Sequence, residues 1–215
     1  MKNNRTIAIV DYGVGNLSSL VRAVNFFDIN TVVTEESSAV MDADAVILPG
    51  VGSFKAGISG LELRGLNETI KEAAAVGKPI LGICLGAQLL LTTGHEFGTL
   101  NGLGIIPGEV VHFPSLPENE KLPHIGWNNI HSLTNKKWRN TVLDSIQEKD
   151  QVYFIHSYIL QPEDKNNILS MSSYGGYKFC SAIQKNNIFG LQFHPEKSGR
   201  IGLRIINNFI NLISN

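Results

Sequence analysis

Between residues 6 and 91 the chain alternates two hydrophobic periods, and this alternation limits the fold more than any other feature. "TIAIVDYG", "TVVTEE", "DADAVILPGVGSF" and "KPILGIC" contain short apolar or β-branched runs bounded by glycine, proline or acidic residues. Such runs are strand-like. "NLSSLVRAVNFF" instead repeats Leu17, Leu20, Val21 and Val24 at helical spacing, with Asn16 placed to cap it. "LRGLNETIKEAAAVG" is a second amphipathic segment, stopped by Gly77. Parallel strands need a crossover of about a dozen residues or more, usually helical. The expectation is an α/β fold, flavodoxin-like, with a mostly parallel sheet flanked by helices.

From about Gly108 the pattern changes. "EVVHF", "VYFIHSY", "NILSMSSY", "FCSAIQ" and "IFGLQFH" are β-like pieces separated by Asn, Gly and Pro turns. They predict a mixed or antiparallel extension of the same sheet in the C-terminal half. "GLRIINNFINLI" closes the chain as an amphipathic helix with Leu203, Ile206, Phe209 and Ile210 on one stripe. "SLPENEKLP" and "TNKKWRN" are expected to be surface loops. With 43% hydrophobic and 17% charged residues in 215, one domain over 1–215 can bury its core.

A net charge of -1 provides no electrostatic footprint for nucleic acid or an anionic membrane. The apolar runs are interrupted by Gly and Pro and fall short of a membrane span. Two cysteines, Cys84 and Cys180, are too few for a disulfide framework, and nothing reads as a secretory leader. A cytoplasmic protein with free thiols is expected.

Cys84 stands between strand and helix signals, in Gly82-Ile83-Cys84-Leu85-Gly86. Small residues flank a nucleophile on a tight strand-to-helix turn because the bend brings neighbouring backbone close. At a helix start, free N–H groups would favour the thiolate, and the Leu85 N–H would face an oxyanion beside the sulfur. The alternative is a buried structural cysteine. A nucleophilic thiol needs an imidazole and a group to orient it. Of six histidines, His194 in "IFGLQFHPEKSG" lies at a strand end, and Glu196 two residues on can reach it from an extended segment. Alone, each would be a turn residue or a solvated charge; together with the elbow they point to Cys84–His194–Glu196. His156 has no carboxylate neighbour and is assigned to binding. Pro49-Gly50-Val51-Gly52, after the strand "DAVIL", is the candidate for a second oxyanion donor at Val51 or Gly52. A phosphate loop is the weaker reading, because the Lys-Ser/Thr ending is missing. Cys180 reads as a packing residue. No metal-ligand spacing occurs, and no cofactor is expected.

"LPGVGSF", "GICLGAQLL" and "FHPEKSG", in that order, resemble the class I glutamine amidotransferases over nearly the whole chain. "DYGVGNLSSLVRA", "KLPHIGWN" and "IHSY" narrow the resemblance to the glutaminase subunits of imidazole glycerol phosphate synthases. It implies that Cys84 attacks the carboxamide of L-glutamine, with His194 as proton carrier and Glu196 orienting it. It implies oxyanion contacts from Leu85 and from Val51 or Gly52, and glutamine held by Gln88, Glu96 and the backbone of Ser157 and Tyr158. Ammonia would pass to a separate (βα)8-barrel synthase subunit, with "PHIGWN", Trp127 and the "DYGVGN" loop as candidate contacts. Lys197 is a candidate for the ammonia exit. Ala87 stands where the family often has Met, and "LTTGHEFG" replaces a stretch usually richer in Ser and Glu. These departures leave open a paralogue serving another acceptor. A γ-glutamyl hydrolase and a silent regulatory subunit are the remaining alternatives.

Overall fold

The computed structural model describes residues 3–15, 17–118, 120–133 and 138–213. The first half runs β1 (Asn3–Val10), α1 (Leu17–Asn25), β2 (Ile29–Thr34), α2 (Ser37–Asp42), β3 (Ala45–Leu48), α3 (Phe54–Leu63), α4 (Leu66–Ala75), β4 (Ile80–Ile83) and α5 (Leu85–Leu89). There follow β5 (Leu91–Gly94), β6 (Leu100–Asn101), β7 (Ile106–His112), β8 (His124–Asn129), β9 (Gln151–His156) and β10 (Tyr158–Pro162). The last are β11 (Ile168–Tyr174), β12 (Tyr177–Lys185), β13 (Ile188–Leu191) and α6 (Gly199–Leu212).

Strands β2-β1-β3-β4-β13 lie side by side and parallel. This is the flavodoxin-like order, with the late strand β13 taking the fifth place. Beyond it the sheet becomes antiparallel through β12, β10 and β7, then continues to β5 and β6, while β11 also pairs with β12. The expected parallel sheet with a mixed extension is therefore present. β8 and β9 form a separate antiparallel ribbon, joined to His194 by a bridge from Tyr153.

Successive residues of β1 point to opposite faces, which divides the core in two. Ile7 and Ile9 pack with α1, α6 and the inner side of the ribbon, whereas Ala8 and Val10 pack with α2, α3, α4 and α5. On α6, Ile205, Ile206, Phe209 and Ile210 are buried, each contributing about 1.5–3 kcal/mol against exposure.

Several local expectations change. α5 is one turn, not a helix through "LGAQLLLTT". Its tail becomes β5 because Leu91 pairs with Ile106 of β7. α3 is unheralded in sequence, since Gly57 and Gly60 lower helix propensity. A Cβ at Gly57 would meet Leu89 at 2.9 Å, so close packing on α5 demands the small residue. "TNKKWRN" is not wholly a surface loop: Trp138 is buried, and its indole N–H donates to Leu169 O at 2.8 Å. The cap expected at Asn16 and residues 134–137 of that segment lie outside the described residues.

Candidate active site

Three strand ends converge at the carboxyl edge of the parallel sheet, where open α/β sheets present their ligand crevice. β3 ends in Pro49-Gly50, β4 in Cys84, and β13 leads to His194. The register Leu191↔Ile83 and the bond from Cys84 N–H to Leu191 O, 2.7 Å, tie the second and third ends together. Residues more than 100 positions apart thereby become neighbours.

Cys84 has φ 52° and ψ -107°. A non-glycine residue at positive φ is strained, and such strain concentrates at functional bends. The flanking glycines are required by contact. A Cβ at Gly86 would overlap the Leu48 carbonyl oxygen, and one at Gly82 would lie 2.8 Å from backbone atoms of Ala87. The thiol is 7% exposed and opens on a cleft of about 570 Å³, together with Val51, Gly52, Leu85, Gln88 and Glu96. His156, Ser157, Tyr158 and Lys197 line the same cleft.

His194 is held from several sides. Its N–H donates to Tyr153 O (2.9 Å), and its carbonyl accepts from Ser198 Oγ (2.6 Å) and from Lys197 N–H (3.1 Å). Ser198, buried, also accepts from Tyr153 N–H at 2.9 Å. Nδ1 meets Glu196 Oε1 at 2.8 Å, with both side chains nearly closed to solvent. The contact arises differently from the extended geometry expected: Pro195–Lys197 is a single 3-10 turn that brings the carboxylate back to the ring's Nδ1. His194 Nε2 is buried without a partner at hydrogen-bonding geometry, as is Glu196 Oε2. Burial pushes the imidazole pKa down, but the adjacent Cys84 and Glu196 outweigh it and raise it to about 9.

Around the bend, Leu85 N–H donates to Gly50 O at 3.4 Å, so this expected oxyanion donor is occupied. Because a trans peptide opposes its C=O and N–H, the Val51 N–H points away from Leu85. Tyr12, fully buried, donates its hydroxyl proton to Pro49 O, and burial followed by the charge of Cys84 raises its pKa. Of the residues expected to hold substrate, Gln88 donates to Tyr158 O (3.4 Å) and to Gln192 Oε1 (3.2 Å). Glu96 Oε2 accepts from Phe54 N–H, 2.6 Å, at the start of α3. The Ser157 carbonyl accepts from Phe113 N–H at 2.9 Å.

Gln192 was not singled out from sequence, yet its amide donates to the Cys84 sulfur at 3.8 Å while fully buried. The available signal was a polar residue two before His194 in an otherwise apolar strand run. A second cleft, about 600 Å³ between β10 and β12, is lined by Cys180 but by no histidine and by no non-glycine residue at positive φ. Burial raises the Cys180 thiol to about 12, in keeping with packing. Among the described residues, no group of three His, Cys, Asp or Glu side chains could hold a metal ion. No described helix is long and apolar enough to cross a membrane.

Comparison with known proteins identifies the family. Residues 8–212 match the family described as Glutamine amidotransferase class-I. Imidazole glycerol phosphate synthase subunit HisH 1 of Legionella pneumophila (strain Lens) is 43% identical over 211 residues, 96% of this chain and 99% of the relative. Subunit HisH of Chlorobaculum tepidum is 39% identical over 203 residues, 94% of this chain and 98% of its own. Among solved structures, a glutamine amidotransferase superimposes with TM-score 0.73 at 14% identity, covering 97% of this chain and 99% of its own. PurLQS of Thermotoga maritima gives 0.68 at 20%, covering 97% and 99%; both likenesses concern the fold alone. A match over nearly all of its length, together with relatives near 40% identity, shows that the chain belongs to the class I glutamine amidotransferase family.

Proposed function

We propose that this chain is a glutaminase subunit. It hydrolyses L-glutamine through a Cys84 thioester and passes ammonia to a (βα)8-barrel synthase subunit for imidazole glycerol phosphate formation in histidine biosynthesis. The observation carrying the reading is a thiol on a strained bend sharing one edge of the sheet with an imidazole held by a buried carboxylate. The relatives named as HisH subunits supply the acceptor reaction. A single domain, 1–215, located in the cytoplasm, is part of the proposal.

The sulfur attacks the carboxamide carbon of glutamine, forming a C–S bond and placing charge on the oxygen. His194 gives its proton to the departing nitrogen as the C–N bond breaks, releasing ammonia. It then takes a proton from the water that cleaves the thioester, giving glutamate and regenerating the thiolate–imidazolium pair. Glu196 keeps Nδ1 protonated, so that Nε2 faces the chemistry. Gln88, Glu96 and the backbone at Ser157 and Tyr158 hold the substrate.

The oxyanion is received by backbone N–H groups of Leu85 and of the Val51–Gly52 region. The Gly50 carbonyl now occupies the Leu85 donor, so the Gly50–Val51 peptide must rotate. A missing hole donor costs a factor of about 100–1,000 in turnover, which makes the free subunit slow and leaves activation to the partner. The partner face comprises Ile125, Trp127 and Ile155, exposed on the outer side of the β8–β9 ribbon and continuous with the cleft through Ile155. Lys197, also at the cleft, faces the ammonia exit.

The test is a glutamine-analogue electrophile applied to the partner-bound protein, followed by peptide mass spectrometry, alongside a glutamate-release assay. Label on Cys84 and turnover raised at least about tenfold by the partner are expected. An unlabelled Cys84 defeats the catalytic assignment, and equal turnover with and without partner defeats the peptide switch.

A further inference from the structure

Two buried histidines take no part in the chemistry above, yet they lie in one polar line with it. His124, on β8, and His156, at the end of β9, are 2% and 5% exposed. His124 Nδ1 is 3.1 Å from His156 Nε2, and His156 Nδ1 is 2.8 Å from the Tyr158 carbonyl. That carbonyl also accepts from Gln88, whose amide is bonded to Gln192, which reaches the Cys84 sulfur. A polar pair in an aromatic core needs a reason, because unpaired polar burial is costly.

We infer that His156, backed by His124, is a positioning residue for glutamine: it clamps the Tyr158 carbonyl, and so the Ser157–Tyr158 bend and the Gln88 amide that face the substrate. The inference rests on the glutaminase reading for the identity of the substrate.

The hydrogen-bond directions leave a single arrangement of neutral rings. A carbonyl only accepts, so Nδ1 of His156 carries the proton and donates it. Its Nε2 is then a lone pair and accepts from His124 Nδ1–H. The His124 ring is stacked between Tyr174, 4.1 Å, and Phe154, 5.0 Å, which fixes its plane. Phe113, Phe154 and Phe179 surround the His156 ring. Burial keeps both rings neutral, with His156 lowered to about 3 and His124 to about 4. Neither ring can swing without losing an aromatic contact and a hydrogen bond. The Tyr158 carbonyl therefore holds its direction, and Gln88 spends one of its two amide protons on it.

The test exploits the two ring nitrogens separately, in the full chain bound to its synthase subunit. An asparagine amide nitrogen occupies the place of Nδ1, whereas a glutamine amide occupies that of Nε2. His156→Leu is expected to raise KM for glutamine about fivefold to tenfold, the loss of one buried hydrogen bond, with kcat changed less than about twofold. His156→Asn should recover KM to within about twofold of the wild type, the scatter expected for a retained bond, and His156→Gln should not. An unchanged KM, or asparagine no better than glutamine, overturns the inference. Should His156→Leu fail to fold, the Asn and Gln variants alone decide. Nitrogen-15 spectra of the wild-type chain provide an independent arm: His156 must show the neutral form protonated at Nδ1, and a cation or an Nε2–H form overturns the pair. If wild-type Cys84 takes no label and releases no glutamate, the glutaminase reading fails instead, and the spectrum still decides on the clamp.

Discussion

Replacing Glu196 by glutamine keeps the shape of the buried pair and removes its charge. At 2.8 Å, unit charges in an effective dielectric of about 20 attract by about 6 kcal/mol. Desolvation cancels part of this, and breaking a buried pair usually costs about 3–5 kcal/mol. At about 1.4 kcal/mol per decade, kcat/KM for glutamine should fall about 100- to 4,000-fold, with KM changed less than about threefold because Glu196 orients the imidazole and is not assigned to the substrate. The same substitution moves the pH profile. In the wild type the alkaline limb is expected to follow loss of the His194 proton near pH 9. Without the carboxylate, burial is less opposed and the imidazole pKa falls, so the limb shifts toward neutrality. The assay is glutamate release by the partner-bound enzyme between pH 6 and 10. Activity within about threefold of wild type and an unmoved alkaline limb would refute the orienting role, which predicts a loss of at least about 100-fold.

Stability should also depend on pH through this histidine. Because its folded pKa is raised from 6.5 to about 9, its contribution is full below about pH 6.5 and is lost as pH rises through about 9. Urea midpoints of the wild type should drop over that window, and those of Glu196→Gln should drop less. Gly86→Ala forces a Cβ into the Leu48 carbonyl; a loss of more than about 3 kcal/mol in denaturant titration is expected, and a loss below about 1 kcal/mol would contradict the close contact. Trp127→Ala removes a half-exposed side chain. It should leave the stability of the free chain within about 0.5 kcal/mol yet weaken partner binding by about 2 kcal/mol or more, read by titration calorimetry.

The parallel half of the sheet was legible because each apolar run is bounded by turn residues and followed by a helical period. The Cys84 bend was legible because its glycines stand where backbone crowding demands them; the His194–Glu196 pair was expected from the spacing of an extended segment, but a 3-10 turn makes the contact. What escaped is what depends on distant contacts. The length of α5 is set by the pairing of Leu91 with Ile106, and α3 survives two glycines by packing on its neighbours. Gln192 shows its importance only when β13 lies beside β4. The Gly50 carbonyl against Leu85 N–H is likewise a matter of peptide orientation, which residue identity does not encode.

The position of β13 bears on biosynthesis. It enters the middle of the sheet between β4 and β12, although β4 leaves the ribosome about a hundred residues earlier. Until residues 188–191 emerge, a nascent chain carries the apolar strand β4 with the hydrogen-bonding edge that β13 will occupy unmated. Exposed edges of this kind invite pairing with other chains. The strand that ends this vulnerability also leads to His194, the proposed base, beside Cys84. On the proposed mechanism, stalled or shortened chains ending before it would be sticky and catalytically silent at once, whereas a molecule that has sealed its sheet has already brought its thiol and imidazole together.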